Sequence, residues 1–337
     1  VRTSFITWYP HCRRSDTIAA ALGASSHLIH YLGFRRPLHA PVKYVLQTVA
    51  TLRILRRERP DVVLVAAPPI FAALPVLLYA WIAQDTRVVI DAHTGVFAHR
   101  RWSWLLPLTR AVFRQADAVI VTGGHLAHMV RSWGARAVVI GTVPVVFGPG
   151  RSPHPCNGPR VVVVNSFAVD EPLDELLQAA ARLNQVCFFV TGDTALARRE
   201  WLEGRPENLS FTGFVSEQEY AGLLRAADAV VVLTTHDHTM QRGGYEAMAL
   251  GKPLVTSDWP LLRETFSRGT VHVRPVAAEI VAGIARALES RHSLSGQMIT
   301  LREEHEREFQ SRLAELKEAV GFVEPARASS VLPATAV

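Results

Sequence analysis

Cysteine is scarce in this 337-residue sequence: Cys12, Cys156 and Cys187 are an odd number at wide spacings. Such a set fits neither a disulfide framework nor a zinc ribbon, and it points to a reducing compartment. No charged-then-apolar leader precedes the first strand-like run, Ser4 to Trp8, so no secretory signal is expected and the chain is expected in the cytoplasm. Charged residues amount to 20% against 49% hydrophobic, which excludes a disordered chain. Charge is missing altogether from Val62 to Gln84, 23 residues and long enough to cross a bilayer. Pro68, Pro69 and Pro75 interrupt that run. A buried strand from Val62 to Ala66, a Pro-Pro turn and an apolar helix from about Ile70 to Ile82 are therefore expected in place of a span.

What is present begins with size, which suits two domains that each bury a core. The net charge of +6 is unevenly spread: from Arg35 to Arg59 seven basic residues (Arg35, Arg36, Lys43, Arg53, Arg56, Arg57, Arg59) stand against the single acid Glu58. A basic face of this kind suits anionic lipid, phosphate or nucleic acid. No aromatics are interleaved with these cations and no nucleic-acid module is recognisable, so no nucleic-acid partner is expected.

Runs of Val, Ile and Ala recur at Ser4 to Trp8, Val62 to Ala66, Arg87 to Asp91, Ala118 to Thr122 and Ala137 to Ile140, then at Val161 to Val164, Val186 to Thr191, Leu209 to Phe211, Ala229 to Leu233, Pro253 to Thr256 and Val271 to Val273. Near-continuous apolar strands alternating with helices predict an α/β chain of two doubly wound, Rossmann-like domains. Leu173, Leu176, Leu177 and Ala180 mark one helix face, and Tyr220, Leu223, Leu224 and Ala227 another. Ser216 with Glu219 reads as a capping box, and Gly251 as a C′ glycine ahead of Pro253. The Gly- and Pro-dense stretch 148–159 reads as a linker between domains 1–147 and 160–295. Phe309, Leu313, Leu316 and Val320 stripe a charged helix within 296–320 that must lie on an apolar surface, and 321–337 reads as a disordered tail.

Ligands of open α/β sheets sit at the carboxyl ends of the strands. There, Ala229 to Leu233 runs through His238 and Arg242 to Gly243 and Gly244, which open a helix carrying Glu246. Glycines at a helix N-terminus let backbone N–H groups approach a phosphate, and the dipole favours the anion. Glu246 is suited to ribose hydroxyls; alone, it reads equally as a solvated first-turn acid.

Glu246-Ala247-Met248-Ala249, Gly251-Lys252-Pro253, Gly192-Asp193, the run Phe211 to Ser216 and Ala227-Asp228 together resemble glycosyltransferase family 4, whose two Rossmann-like domains face a cleft in the GT-B architecture. That resemblance implies sugar transfer from a nucleotide diphosphate sugar to a hydroxyl acceptor, a lipid-linked or cell-surface polysaccharide precursor, with retention expected over inversion. It assigns 1–147 to the acceptor and 160–295 to the donor. Glu246 would hold the ribose, Phe214 and Val215 would meet the nucleobase, and the loop from Ser257 to Glu264, with Leu261, would wrap the diphosphate and sugar. Phe214 and Val215 read equally well as core packing. No cofactor or metal is expected, since no Asp-x-Asp stands in a candidate site. A nucleotide-sugar 2-epimerase of the same fold and a non-catalytic subunit are the rival readings.

The sequence departs from the family at several points. The first Glu of its Glu-x7-Glu pair falls at His238, beside Asp237; Asn165-Ser166 and Glu171 replace a Gly-Arg and a Lys; Pro260-Leu261 replaces Gly-Gly. A buried diphosphate still needs cations or amides, and Arg242, then Arg263, are the substitutes. In the first domain Asp91 and His93 end a strand where relatives carry a His that contacts the transferred sugar. Either would serve as general base toward an acceptor hydroxyl if the enzyme inverts, and a structural Asp-His turn is the alternative. Arg13 and Arg14 are candidates for an acceptor phosphate. His99 to Leu106 and the basic helix from Lys43 to Arg57 suit a peripheral contact with an anionic membrane at the inner face of the cell; burial of Trp102 and Trp104 is the alternative.

Overall fold

The computed structural model describes residues 1–32, 37–98, 104–152 and 154–321. It divides into two compact units, Val1–Val143 with the chain from Glu308 onward, and Pro144–Arg307.

The first unit holds β1 (Thr3–Thr7), β2 (Ser25–Leu28), β3 (Val62–Ala67), β4 (Arg87–Ala92), β5 (Ala118–Val121) and β6 (Ala137–Val139), all parallel, in the order β2-β1-β3-β4-β5-β6. Val63, Leu64, Val65, Ile90, Val119 and Ile120 are sealed on both faces of the sheet. Each such side chain stabilises the fold by roughly 1.5–3 kcal/mol relative to exposure. The end of the last helix (Arg291–Ala319) seats Phe309, Leu313 and Leu316 on Phe5, Ile18 and Ile120, which supplies the apolar surface its stripe requires. Strand β2 was not expected: its Ser-Ser-His-Leu is polar and largely exposed at the sheet edge, so it carries no apolar signal.

The second unit holds β7 (Arg160–Val163), β8 (Cys187–Thr191), β9 (Leu209–Gly213), β10 (Ala229–Val232), β11 (Leu254–Ser257) and β12 (Thr270–Val273), again parallel, in the order β12-β11-β10-β7-β8-β9. Strand order reverses between β1 and β3 in the first sheet and between β7 and β10 in the second. Those reversals are where an open α/β sheet leaves a crevice for ligands.

The uncharged run folds into the expected elements, β3, a Pro68-Pro69 turn, a short 3-10 turn (Ile70–Ala72) and the helix Ala73–Ala83, but that helix is only half core, with Trp81 and Ile82 exposed. Among the described residues no helix is long and apolar enough to cross a membrane. The capping box at Ser216 and Glu219 forms, with both reciprocal bonds. Gly251 takes a left-handed φ of 62° after the helix Arg242–Ala249, a conformation that glycine adopts without steric cost.

The expectation of three unpaired thiols is corrected, and with it falls the cysteine argument for a reducing compartment. Cys156 and Cys187 are joined in a disulfide with their Cα atoms 6.2 Å apart. The cause is tertiary: the Pro-rich segment runs beside the start of β8, where the Cys187 N–H donates to the Pro159 carbonyl. A 31-residue separation conceals that proximity. The Gly-Pro stretch lies beyond the unit boundary and is fastened to the helix Glu217–Ala226. A Cβ on Gly150 would fall 2.3 Å from the Gln218 carbonyl oxygen, and Arg225 donates to the carbonyls of Phe147 and Gly148. Arg35, Arg36, His99 to Ser103 and the tail from residue 322 lie outside the described residues.

Candidate functional site

In the second unit, the loops that leave β7, β10 and β11 are tied together at the strand ends. Thr234 donates its hydroxyl to Asp170 Oδ2 at 2.6 Å and its N–H to Ser257 Oγ at 2.9 Å, and its carbonyl accepts from Trp259 Nε1 at 3.1 Å. The helix Arg242–Ala249 starts beside this knot. Gly243 and Gly244 are required there by packing: a Cβ on Gly243 would meet Val164 at 2.8 Å, and one on Gly244 would meet the Phe266 ring at 2.4 Å. The Gly244 N–H is already given to the Gln241 carbonyl, so this glycine seats the helix and offers no N–H to a phosphate.

Glu246 is buried at 4% exposure, not solvated. Tyr220 donates its hydroxyl to Oε2, and Arg242 Nε donates to Oε1 at 3.0 Å. The carboxylate is therefore held from two sides in one orientation, with further acceptor capacity on each oxygen. Arg242 makes this contact through Nε, and its terminal guanidinium nitrogens are not consumed by it; the side chain is 61% exposed. Tyr220 stood in an apolar helical stripe in the sequence, where nothing signalled that its hydroxyl reaches Glu246.

The other candidate donor contacts separate. Phe214, in the loop after β9, is 89% exposed, which rules out core packing, while Val215 packs against the second unit's core. Arg263 is committed to Asp258 by two parallel contacts that raise its pKa and lower that of Asp258, so the second-choice cation for a diphosphate is already neutralised. Leu261 is half-buried in the short helix Pro260–Thr265. His238 is exposed in a left-handed conformation, and its contact is with neighbouring Asp237. The loop after β7 shows a feature missed in the sequence. The Glu171 carboxylate accepts from the N–H groups of Ser166 and Ala168 and from the Ser166 hydroxyl, at 2.8–3.1 Å. An internal anion thus occupies the amides of the loop that in the family carries the Arg and Lys.

In the first unit Asp91 is fully buried at the end of β4. Arg14, in the first turn of the helix Arg13–Leu22, places Nε 3.1 Å from both carboxylate oxygens and donates to the carbonyls of Ile140 and Gly141 at 2.7 and 2.8 Å. Arg14 is thereby a lock between the first helix, β4 and the end of β6, which corrects its assignment to an acceptor phosphate; Arg13 is exposed. His93 Nε2 stands 3.3 Å from Asp91 Oδ2, an ionic contact without good hydrogen-bond alignment. Cys12, just ahead of the helix, completes the row, with Ser15 Oγ 3.0 Å from its Sγ.

Burial opposes the charge on His93, but the Asp91 carboxylate and the Cys12 thiol outweigh it and push its pKa up to about 9. Burial likewise opposes ionisation of Asp91, yet Arg14 and His93 hold it below the ordinary carboxylate value. The Cys12 thiol, raised by burial, is pulled lower overall by His93 and Ser15. At neutral pH His93 is therefore a cation and Asp91 an enclosed, ion-paired carboxylate. Neither is free to take a proton from an acceptor, which corrects the general-base reading of both. His93 is equipped instead to donate toward an oxygen. Among the described residues no cluster of three His, Cys, Asp or Glu side chains is arranged to hold a metal ion.

Residues 10–144 match the family model described as Glycosyltransferase Family 4, and residues 158–290 match the one described as Glycosyl transferases group 1. No curated protein matches the sequence. Among solved structures, Anabaena Alr3699/HepE in complex with UDP superposes with a TM-score of 0.62 at 16% identity, over 96% of this chain and 100% of that one. Sucrose-phosphate synthase from Thermosynechococcus elongatus gives 0.59 at 16%, over 94% and 98%. A glycosyltransferase from Rickettsia africae gives 0.59 at 12%, over 94% and 90%. At these identities the likeness shows a shared fold of two Rossmann-like domains.

Proposed function

The chain is a glycosyltransferase of the GT-B, family 4-like type, and on that premise we propose that it moves a hexose-type sugar from a nucleotide diphosphate sugar to a hydroxyl of a lipid-linked or cell-surface polysaccharide precursor. The observation that carries this reading is Glu246, a buried carboxylate oriented by Tyr220 and Arg242 at the strand-order reversal of the second sheet. Its remaining acceptor positions suit the two ribose hydroxyls. Exposed Phe214 offers a face to the nucleobase, and the terminal nitrogens of Arg242 meet the diphosphate. Structural neighbours of the chain were solved with UDP and with UDP-glucose.

In the first unit, His93 as a cation is suited to donate to a substrate oxygen. Because Asp91 and His93 are both unsuited to deprotonate an acceptor, retention is favoured over inversion. No metal or other cofactor enters this reading, and the reaction is placed in the cytoplasm at the inner face of the cell membrane. Replacing Glu246 by Gln, which keeps its size, and by Ala is expected to abolish sugar transfer with the melting temperature little changed. Undiminished turnover in both variants overturns the assignment.

One observation favours a second reading, a non-catalytic subunit: Glu171 places a negative charge among the amides of the β7 loop. Calorimetry with a panel of nucleotide diphosphates separates the two. Binding supports the transferase, and absence of binding to every member supports the subunit.

A further inference from the structure

The helix Ala40–Glu58 turns three polar residues inward in line with Leu55: Lys43, Gln47 and Thr51 are buried, where Gln47 Nε2 donates to the Ile29 carbonyl at 2.7 Å and Thr51 Oγ1 accepts from Trp8 Nε1 at 3.0 Å. The opposite side exposes Val42, Val45, Leu46 and Val49, with Val45 at 63%. A helix on a water-facing surface has the reverse pattern. The adjoining helix Ala73–Ala83 contains no charged residue and exposes Leu74, Leu78, Trp81 and Ile82, one stripe at i, i+4, i+7 and i+8, with Trp81 at 78%. These two neighbours hold eight of the large hydrophobic side chains that the described residues expose, a concentration that marks an interaction surface.

The charge at its edge identifies the occupant. The apolar stripe of the first helix continues into exposed Arg53, Arg56 and Arg57, and its one acid, Glu58, is engaged by His27 and Arg57. Apolar side chains with an indole, bordered by three exposed arginines against one acid, fit an anionic bilayer interface: the side chains enter the acyl boundary and the guanidinium groups meet lipid phosphates. We propose that the two helices Ala40–Glu58 and Ala73–Ala83 dock the enzyme on an anionic phospholipid bilayer, lying in the interface and not spanning it. The inference rests on the reading of the acceptor as lipid-linked. It also reassigns the membrane contact expected of Lys43, which faces inward, to the arginines and to a second helix that the sequence suggested only as core.

The test is sedimentation of the full chain with vesicles of phosphatidylcholine alone and of phosphatidylcholine with phosphatidylglycerol. Binding is expected to the anionic vesicles, weakening as salt rises. Val45→Glu combined with Trp81→Glu is expected to reduce it about ten-fold or more. Neutralising Arg53, Arg56 and Arg57 to Gln is expected to reduce it about a hundred-fold, since each cation near an anionic surface is worth a factor of about five. Failure of the wild type to bind anionic vesicles overturns the proposal, as does unchanged binding by both variants. A dimer in sedimentation velocity that the Glu variant dissociates, with vesicle binding unaffected, overturns it in favour of self-association. Nucleotide binding measured on the same preparations keeps the two readings apart. Vesicle binding lost with nucleotide binding intact sinks the membrane surface alone, and the converse sinks the donor site alone.

Discussion

His93 offers the most direct test of the first unit's electrostatics. Its imidazole is expected to titrate near 9 in the folded chain instead of near 6.5, because Asp91 and Cys12 outweigh the cost of its burial. A group with a raised folded pKa adds stability that is complete below the unfolded value and disappears as pH rises through the folded value. The window is therefore pH 6.5 to about 9. At about 1.4 kcal/mol per unit the shift corresponds to roughly 3 kcal/mol. With a third of the side chain in solvent, screening brings that to about 1–2 kcal/mol. Two measurements check it: the ring-proton titration of His93 by NMR, and urea unfolding of wild type and His93→Gln at several pH values across the window. The wild type's advantage over the variant should shrink by about 1–2 kcal/mol as pH rises. In Asp91→Asn the ring should titrate below 6.5, since burial then acts without its main counterweight, and Arg14, left with the Ile140 and Gly141 carbonyls but no counter-charge, should cost roughly 3–5 kcal/mol of stability. A wild-type midpoint near 6.5, or an advantage that does not change with pH, refutes the reasoning and restores His93 as a candidate base.

Two further outcomes follow from the second unit. Phe214→Ala should leave stability within about 0.5 kcal/mol, because the ring is 89% exposed, while weakening nucleotide affinity by roughly 1–3 kcal/mol if a base stacks on it; calorimetry beside a thermal melt reads both. Gly244→Ala should destabilise by roughly 1–3 kcal/mol, since its Cβ would fall 2.4 Å from the Phe266 ring; a melting temperature equal to wild type would remove the packing role given to this glycine.

The two-domain fold was legible in the sequence because its determinants are local. Eleven of the twelve strands among the described residues announce themselves as runs of Val, Ile and Ala, since a parallel sheet covered on both faces demands apolar residues at every position. Polar, exposed β2 lacked that signal. The helix Ala40–Glu58 was misjudged for a related reason: its charges suggested a basic face, yet Lys43, Gln47 and Thr51 turn inward with Leu55, and the partners of Gln47 and Thr51 come from other segments. What long-range geometry decides was not legible. Arg14 and Asp91 are 77 residues apart, and nothing near either discloses that one guanidinium closes over the other's carboxylate.

The same distinction explains what could be read of the proposed donor site. Glu246 and its glycines form a contiguous motif, and Arg242, one turn away, stood out in the sequence only as a cation for a diphosphate; that it orients the carboxylate together with the distant Tyr220 was not legible. The β7 loop carries the argument one step further. In the sequence, Ser166 and Glu171 are only the loss of two expected cations. In the structure Glu171 supplies an anion where a phosphate oxygen would be welcome, so a diphosphate at that loop must displace the carboxylate or avoid its amides. With Arg263 neutralised by Asp258, the proposed reading leaves electrostatic compensation for the donor chiefly to Arg242 in this unit. Because Arg242 also orients Glu246, the proposed reading makes the cation for the diphosphate and the carboxylate for the ribose a directly bonded pair.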